Sequence, residues 1–194
     1  MKKPLIVIFV VLLLDQISKI LVKTTMELKE SIIVFENWFQ ICFIENDGMA
    51  FGWQVFESVW GTTFLILFRI VAVVFMFWLL FKLVKKGVKF GPLFGISLII
   101  AGALGNIIDG MFYGLIFDYA GFMQGRVVDM LYFPLFTFPE WVPWFGGEIF
   151  FSPVFNIADS AITIGIFYMI IFQWEFISNF ESIIGVEKHD GERD

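Results

Sequence analysis

The sequence predicts a membrane α-helical protein with four transmembrane helices, both termini cytoplasmic, and strands and an aromatic loop outside. Three observations carry that prediction. Of 194 residues, 59% are hydrophobic and 20% aromatic, against only 16% charged, and the mean hydropathy is +0.84, far from soluble averages. Four apolar stretches approach the roughly 20 residues that a spanning helix requires: residues 4–22, 62–83, 90–108 and 153–172. The lysines, finally, are unevenly placed among the connections.

The first stretch has the opening of a signal peptide, Lys2 and Lys3 before an apolar run. Asp15-Gln16-Ile17-Ser18-Lys19 offers no small-x-small cleavage site, however, and apolar residues resume beyond it, so a retained helix is expected. Lys82, Lys85, Lys86 and Lys89 fill the short gap between the second and third stretches without an acid. The segment from Val22 to Gly61 sets Lys23 and Lys29 against Glu27, Glu30, Glu36, Glu45, Asp47 and Glu57. Positive-inside asymmetry therefore puts the termini in the cytoplasm and both long connections outside. The first connection alternates loosely from Ser31 to Glu45 and predicts one or two strands before the turn signal Asn46-Asp47-Gly48. The second, Tyr132 to Phe151, is crowded with Phe, Trp and Pro, which suits the interfacial belt or a lid. A single domain, 1–194, is expected, with a charged cytoplasmic tail from about 175 to 194.

Composition also narrows the chemistry. A formal net charge of −6 and the lack of a basic stripe argue against nucleic acid as a partner. Cys42 is the only cysteine, and His189, the only histidine, stands in the charged tail. Histidine triads and cysteine or histidine metal clusters are thereby disfavoured, and no metal or cofactor is expected. Carboxylates, lysines, hydroxyls and amides remain.

Ionisable groups inside apolar segments are costly and mark functional sites by default. Asp15 and Lys19, four apart, share a helix face; they read either as a self-neutralising pair or as support for a polar outer cavity. Arg69, near the outer end of the second stretch, is expected to snorkel to headgroups. Asn106 and Asp109 share a face at the end of the third stretch, and Asn156 and Asp159 repeat that spacing at the start of the fourth. A helix cap would explain one such pair. Two pairs at the same membrane face, with Asp129 between them, point to carboxylate chemistry.

In order, Asp15-Gln16-Ile17-Ser18-Lys19, Asn46-Asp47-Gly48-Met49-Ala50-Phe51, Gly102-Ala103-Leu104-Gly105-Asn106-Ile107-Ile108-Asp109, Val127-Val128-Asp129 and Phe155-Asn156-Ile157-Ala158-Asp159-Ser160 resemble the bacterial lipoprotein signal peptidases, the type II signal peptidase family. The resemblance implies a four-helix aspartyl endopeptidase of the bacterial cytoplasmic (inner) membrane with a small extracytoplasmic β-cradle and an active site on that side. Its expected substrate is a diacylated prolipoprotein, cut before the lipid-modified cysteine; its surroundings are membrane lipids, and it is expected to act as a monomer. Asp129 and Asp159 look like the catalytic pair, Asn46, Gly48, Asn106, Asp109 and Asn156 like substrate-binding or site-shaping residues, and Asp15 with Lys19 like a structural polar pair. The chain departs from the family at Gly110, where an arginine often follows the preceding aspartate; Arg126 is the candidate replacement. The rival reading is a small proton- or cation-coupled carrier using the same carboxylates, and a third is a noncatalytic assembly factor.

Overall fold

A computed structural model describes residues 1–36, 38–46 and 59–185. The chain runs α1 (Lys2–Thr25), β1 (Ser31–Phe35), β2 (Phe39–Asn46), α2 (Val59–Lys85) and α3 (Phe90–Ile108). A π turn (Asp109–Tyr113) and a single helical turn, α4 (Gly114–Ile116), follow. Then come β3 (Val127–Tyr132), β4 (Phe136–Thr137), β5 (Ile149–Phe150), α5 (Ile157–Phe172), α6 (Trp174–Ser178) and α7 (Phe180–Ile184).

Three helical segments, Lys2–Thr25, Gly61–Lys85 and Phe90–Ile116, are long and apolar enough to cross a membrane. Their outward side chains, such as Phe9, Phe64 and Val71, are exposed, as expected where lipid is the solvent. The fourth helix is shorter than its apolar stretch. Residues 153–155 are extended, Phe155 bridges to Leu131, and α5 begins only at Ile157 because Asn156 caps it in a reciprocal capping box with Asp159. Its 16 residues rise about 24 Å at 1.5 Å each.

Central α3 packs against α1, α2 and α5, and its small residues permit this. A Cβ at Gly102 would collide with the Ala158 carbonyl of α5, and one at Gly105 with the Asp15 carboxylate of α1. Backbones so close leave no room for a methyl. At one end of the bundle Ile8, Leu80, Leu83, Leu93 and Ile100 form one apolar core; at the other Val22, Phe43, Tyr113, Val128 and Met130 form a second, joining α1 to the sheet.

That sheet is antiparallel in the order β1-β2-β3, which realises the two strands expected before Asn46 and adds a third from beyond α3. The aromatic connection contains a second, two-stranded sheet, with Phe136 opposite Phe150. Past α5 the chain turns into α6 and α7, whose Phe176, Phe180, Ile183 and Ile184 pack on the core around Ile8 and Leu80, and Lys86 Nζ donates to the Ile183 carbonyl at 2.6 Å. Apolar residues at helical spacing outweigh the intervening Glu175 and Glu181.

Candidate active site

Asp129 lies on β3, opposite Ile44 of β2, with Asn46 opposite Val127 two residues earlier. β3 is in turn clamped to the entry of α5: Leu131 N–H donates to the Phe155 carbonyl at 2.7 Å and Phe155 N–H returns a bond to the Leu131 carbonyl at 3.0 Å. This pairing sets Asp129 beside the capped first turn of α5, where Asp159 projects.

One asparagine joins the two carboxylates. Asn156 Nδ2 donates to Asp129 Oδ1 at 2.7 Å. The same side chain accepts the Asp159 N–H through Oδ1 at 2.9 Å, while the Asn156 N–H donates to Asp159 Oδ2 at 3.4 Å. Asn46 Nδ2 approaches Asp129 Oδ2 at 3.2 Å, and Asn106 Nδ2 donates to Asp159 Oδ1 at 2.8 Å. Amide N–H groups thus hold both carboxylates in place without supplying a charge. Asp129 is 3% exposed. Burial first, then the neighbouring Asp159 charge, pushes its carboxyl up to about 7, against the downward pull of the Asn46 and Asn156 hydrogen bonds and the Lys19 charge.

Below this pair is a second cluster. The buried Lys19 ammonium spends its three donors on Asp15 Oδ2 at 2.9 Å, Asp109 Oδ2 at 2.7 Å and Asn106 Oδ1 at 2.9 Å. Asp15 Oδ1 accepts the Ala158 N–H of α5 at 2.8 Å, one of the donors a helix start leaves over. Asp109 Oδ1 accepts from Gln16 at 2.9 Å, and Gln16 Oε1 accepts from Tyr113 at 3.2 Å. Through Asn106 this cluster touches the upper pair, so α1, α3 and α5 share one hydrogen-bonded column. Among the described residues, every buried side-chain N or O atom has a partner.

Five of the singled-out residues, Asp129, Asp159, Asn46, Asn106 and Asn156, thus form one cluster, and Asp15, Lys19 and Asp109 form the one beneath. Gly48 lies outside the described residues. Arg126 is half exposed, its Nη1 3.5 Å from Glu45 Oε2. Arg69, expected at the headgroups, is partly buried on α2 and lies within electrostatic range of Asp159, Asp109 and Asp129. Ile66, one turn before Arg69, packs on the π turn, so that a Cβ at Gly110 would lie 2.9 Å from Ile66 Cδ1. The signal was a lone cation in an apolar span; which face it occupied was not legible.

Lys23 was also missed. It pairs with Glu45, next to Asn46, and its Nζ sits over the rings of Phe43, Phe117 and Tyr119 at 5.6, 4.8 and 4.6 Å, pinning β2 to the end of α1.

Comparisons with known proteins show the family. The family model described as signal peptidase (SPase) II matches residues 7–175. A lipoprotein signal peptidase of Porphyromonas gingivalis is 48% identical over 184 residues, covering 84% of this chain and 79% of that protein. One of Amoebophilus asiaticus is 36% identical over 170 residues, covering 81% and 72%. Two bacterial membrane enzymes solved by the in meso method are similar in structure. One has a TM-score of 0.64 at 26% identity, covering all of this chain and 96% of that one; the other has 0.61 at 27%, covering 88% and 92%. With its carboxylate pair assembled at one end of an apolar helical bundle, the chain belongs to the signal peptidase II family of membrane aspartic proteases.

Proposed function

We propose that the protein removes the signal peptide from diacylglyceryl-modified prolipoproteins at the outer face of the bacterial cytoplasmic membrane, with Asp129 and Asp159 as its catalytic pair. The observation that carries this reading is the Asn156 bridge, whose side-chain amide donates to the Asp129 carboxylate and whose backbone N–H donates to the Asp159 carboxylate, without supplying a charge to either. Asp129, its carboxyl pushed up to about 7, holds the proton the pair shares, and Asp159 activates water.

Water attacks the scissile carbonyl carbon and yields a proton to Asp159, while Asp129 protonates the carbonyl oxygen. In the collapse of the resulting diol, Asp159 protonates the leaving nitrogen, Asp129 recovers its proton from a hydroxyl, and the C–N bond breaks. The products are the signal peptide's carboxyl end and the amine of the lipidated cysteine. Asn46, Asn106 and Asn156 orient the carboxylates, and Asp15, Lys19 and Asp109 hold the helices that carry them.

Lysine asymmetry supports the orientation: Lys82, Lys85, Lys86 and Lys89 lie at the end of the bundle opposite the pair. In this reading α5 is a fourth span. Its capped start lies at the outer interface, where a diacyl chain, stabilised by about 0.8 kcal/mol per buried methylene, would present the scissile bond. The carrier reading has no support from the family match, which is to proteases.

Incubation of the purified protein with a diacylated prolipoprotein and with its unmodified precursor tests the proposal. A shortened product from the diacylated substrate alone, absent with Asp129→Asn, is expected. Equal cleavage of both substrates, or by the variant, would overturn it.

A further inference from the structure

Between Tyr132 and Phe155 the chain leaves the site, forms a hairpin and returns. Its tip exposes Trp141 and Trp144, 81% and 94% accessible, and Phe136, Phe145 and Phe150 are exposed beside them. So much aromatic surface on so short a segment marks an interaction site.

Three observations identify the occupant. The hairpin is rooted where α5 begins: Phe133 and Phe151 lie 5.7 and 5.8 Å from Phe155, and Phe133 stacks on Phe39 at 4.8 Å. Its apolar surface therefore continues the lipid-facing surface of an apolar helix. The tip also closes its own backbone bonds. Phe138 N–H donates to the Glu148 carbonyl at 2.9 Å, Gly147 N–H to Phe138 at 3.0 Å, Gly146 N–H to Val142 at 3.0 Å and Glu148 N–H to Phe145 at 2.9 Å. A segment entering a bilayer must satisfy its backbone in this way. Finally, the only ionisable side chains from Pro134 to Phe155 are Glu140 and Glu148. With no lysine or arginine, the segment lacks the means to hold anionic headgroups, but tryptophan rings with a polar N–H suit the interfacial layer itself.

We propose that the hairpin is an interfacial anchor that seats Trp141 and Trp144 in the outer leaflet beside α5 and so fixes the height of the catalytic pair in the bilayer. The coupling is short. Asp129 is two residues from Leu131 and Asn156 is next to Phe155, the pair that closes the hairpin's base. This inference rests on the reading that the pair works at the outer face, and its first readout needs no catalysis.

In a Cys42→Ser background, Trp144→Cys carrying an environment-sensitive NBD probe is reconstituted in phosphatidylcholine–phosphatidylethanolamine vesicles. Blue-shifted emission, quenched more by doxyl groups near the headgroups than by those deep in the chains, is expected. Water-like, unquenched emission would overturn the anchor, as would a shift that appears only when prolipoprotein is added, which would make the hairpin a substrate dock. In the second readout, Trp141→Ser/Trp144→Ser should cleave vesicle-embedded substrate several-fold more slowly while cleaving detergent-solubilised substrate normally, and Trp141→Tyr/Trp144→Tyr should restore the vesicle rate. Equal losses in both media, or no loss in vesicles, would overturn it.

Discussion

Two carboxylate pairs sit at the same end of the bundle, yet their surroundings differ in kind. Asp15 and Asp109 share a buried ammonium, with Lys19 Nζ 2.9 and 2.7 Å away. Asp129 and Asp159 are held by asparagine amides at 2.7 to 3.2 Å. Removing one partner of a buried ion pair strands the other's charge, so such a cluster holds its elements together as a scaffold. Amide donors fix position and leave a proton to be shared, which general acid and base chemistry requires. Asn106 stands between them, accepting from Lys19 and donating to Asp159, so the lower cluster positions the upper pair.

The sharpest way to break this comparison is to remove a member of the upper pair. Asp129→Asn, Asp159→Asn and the double variant should each lose turnover by roughly ten-thousandfold or more, the double little worse than either single, because the carboxylates act on one water. Additive losses would mean that one of them is structural. Asp129→Asn should remain folded and change the pH dependence of melting. Asp129 holds its proton up to about 7 in the folded protein, whereas an unfolded aspartate loses it near 4. The wild type must therefore lose stability as pH rises through that window, by up to a few kcal/mol. A melting curve for Asp129→Asn that declines as steeply over the same range would sink this account.

Next in size is the scaffold. Lys19→Met strands two buried carboxylates and should cost about 3–5 kcal/mol of stability. Lys19→Met/Asp109→Asn should recover part of that loss in thermal or denaturant melts. A well-tolerated single substitution would show that the lower cluster carries no ion pair worth the name.

Arg69 sharpens the comparison by testing whether the upper pair feels a cation at a distance. Arg69→Gln should slow turnover roughly tenfold, equivalent to about 1.4 kcal/mol in the barrier. It should also move the alkaline limb of the rate profile, which the wild type should show near 7 as Asp129 deprotonates, to higher pH, because losing a positive charge disfavours the second ionisation. Arg69→Lys should restore much of both. An unmoved limb would return Arg69 to the lipid headgroups. The smallest effect is expected at Cys42, buried on β2 with Ser31 Oγ donating to its sulfur at 3.1 Å. Cys42→Ser should keep most activity, and a loss beyond about tenfold in folded protein would give the thiol a role that packing does not explain.

What the sequence determined by itself was whatever rests on local periodicity and composition. Apolar runs specify helices for a membrane at α1, α2 and α3, loose alternation points to β1 and β2, and the Asn156–Asp159 spacing admits a cap that the structure then shows. The motif resemblance picked out Asp129 and Asp159 as partners although 29 positions separate them in the numbering. Tertiary structure alone decided the rest, because hydrogen bonds and charges act through space. Hydropathy could not say that β3 would clamp Phe155 and shorten α5, that Lys19 would reach past Asp15 to Asp109 and Asn106, or that Ile66 of α2 would meet the π turn at Gly110. Nor could it place Arg126 at Glu45, or fold the aromatic connection into a hairpin rooted beside Asn156. Each depends on which helix face meets which neighbour, and that is set by the close approach of α1 and α5 to the glycines of α3.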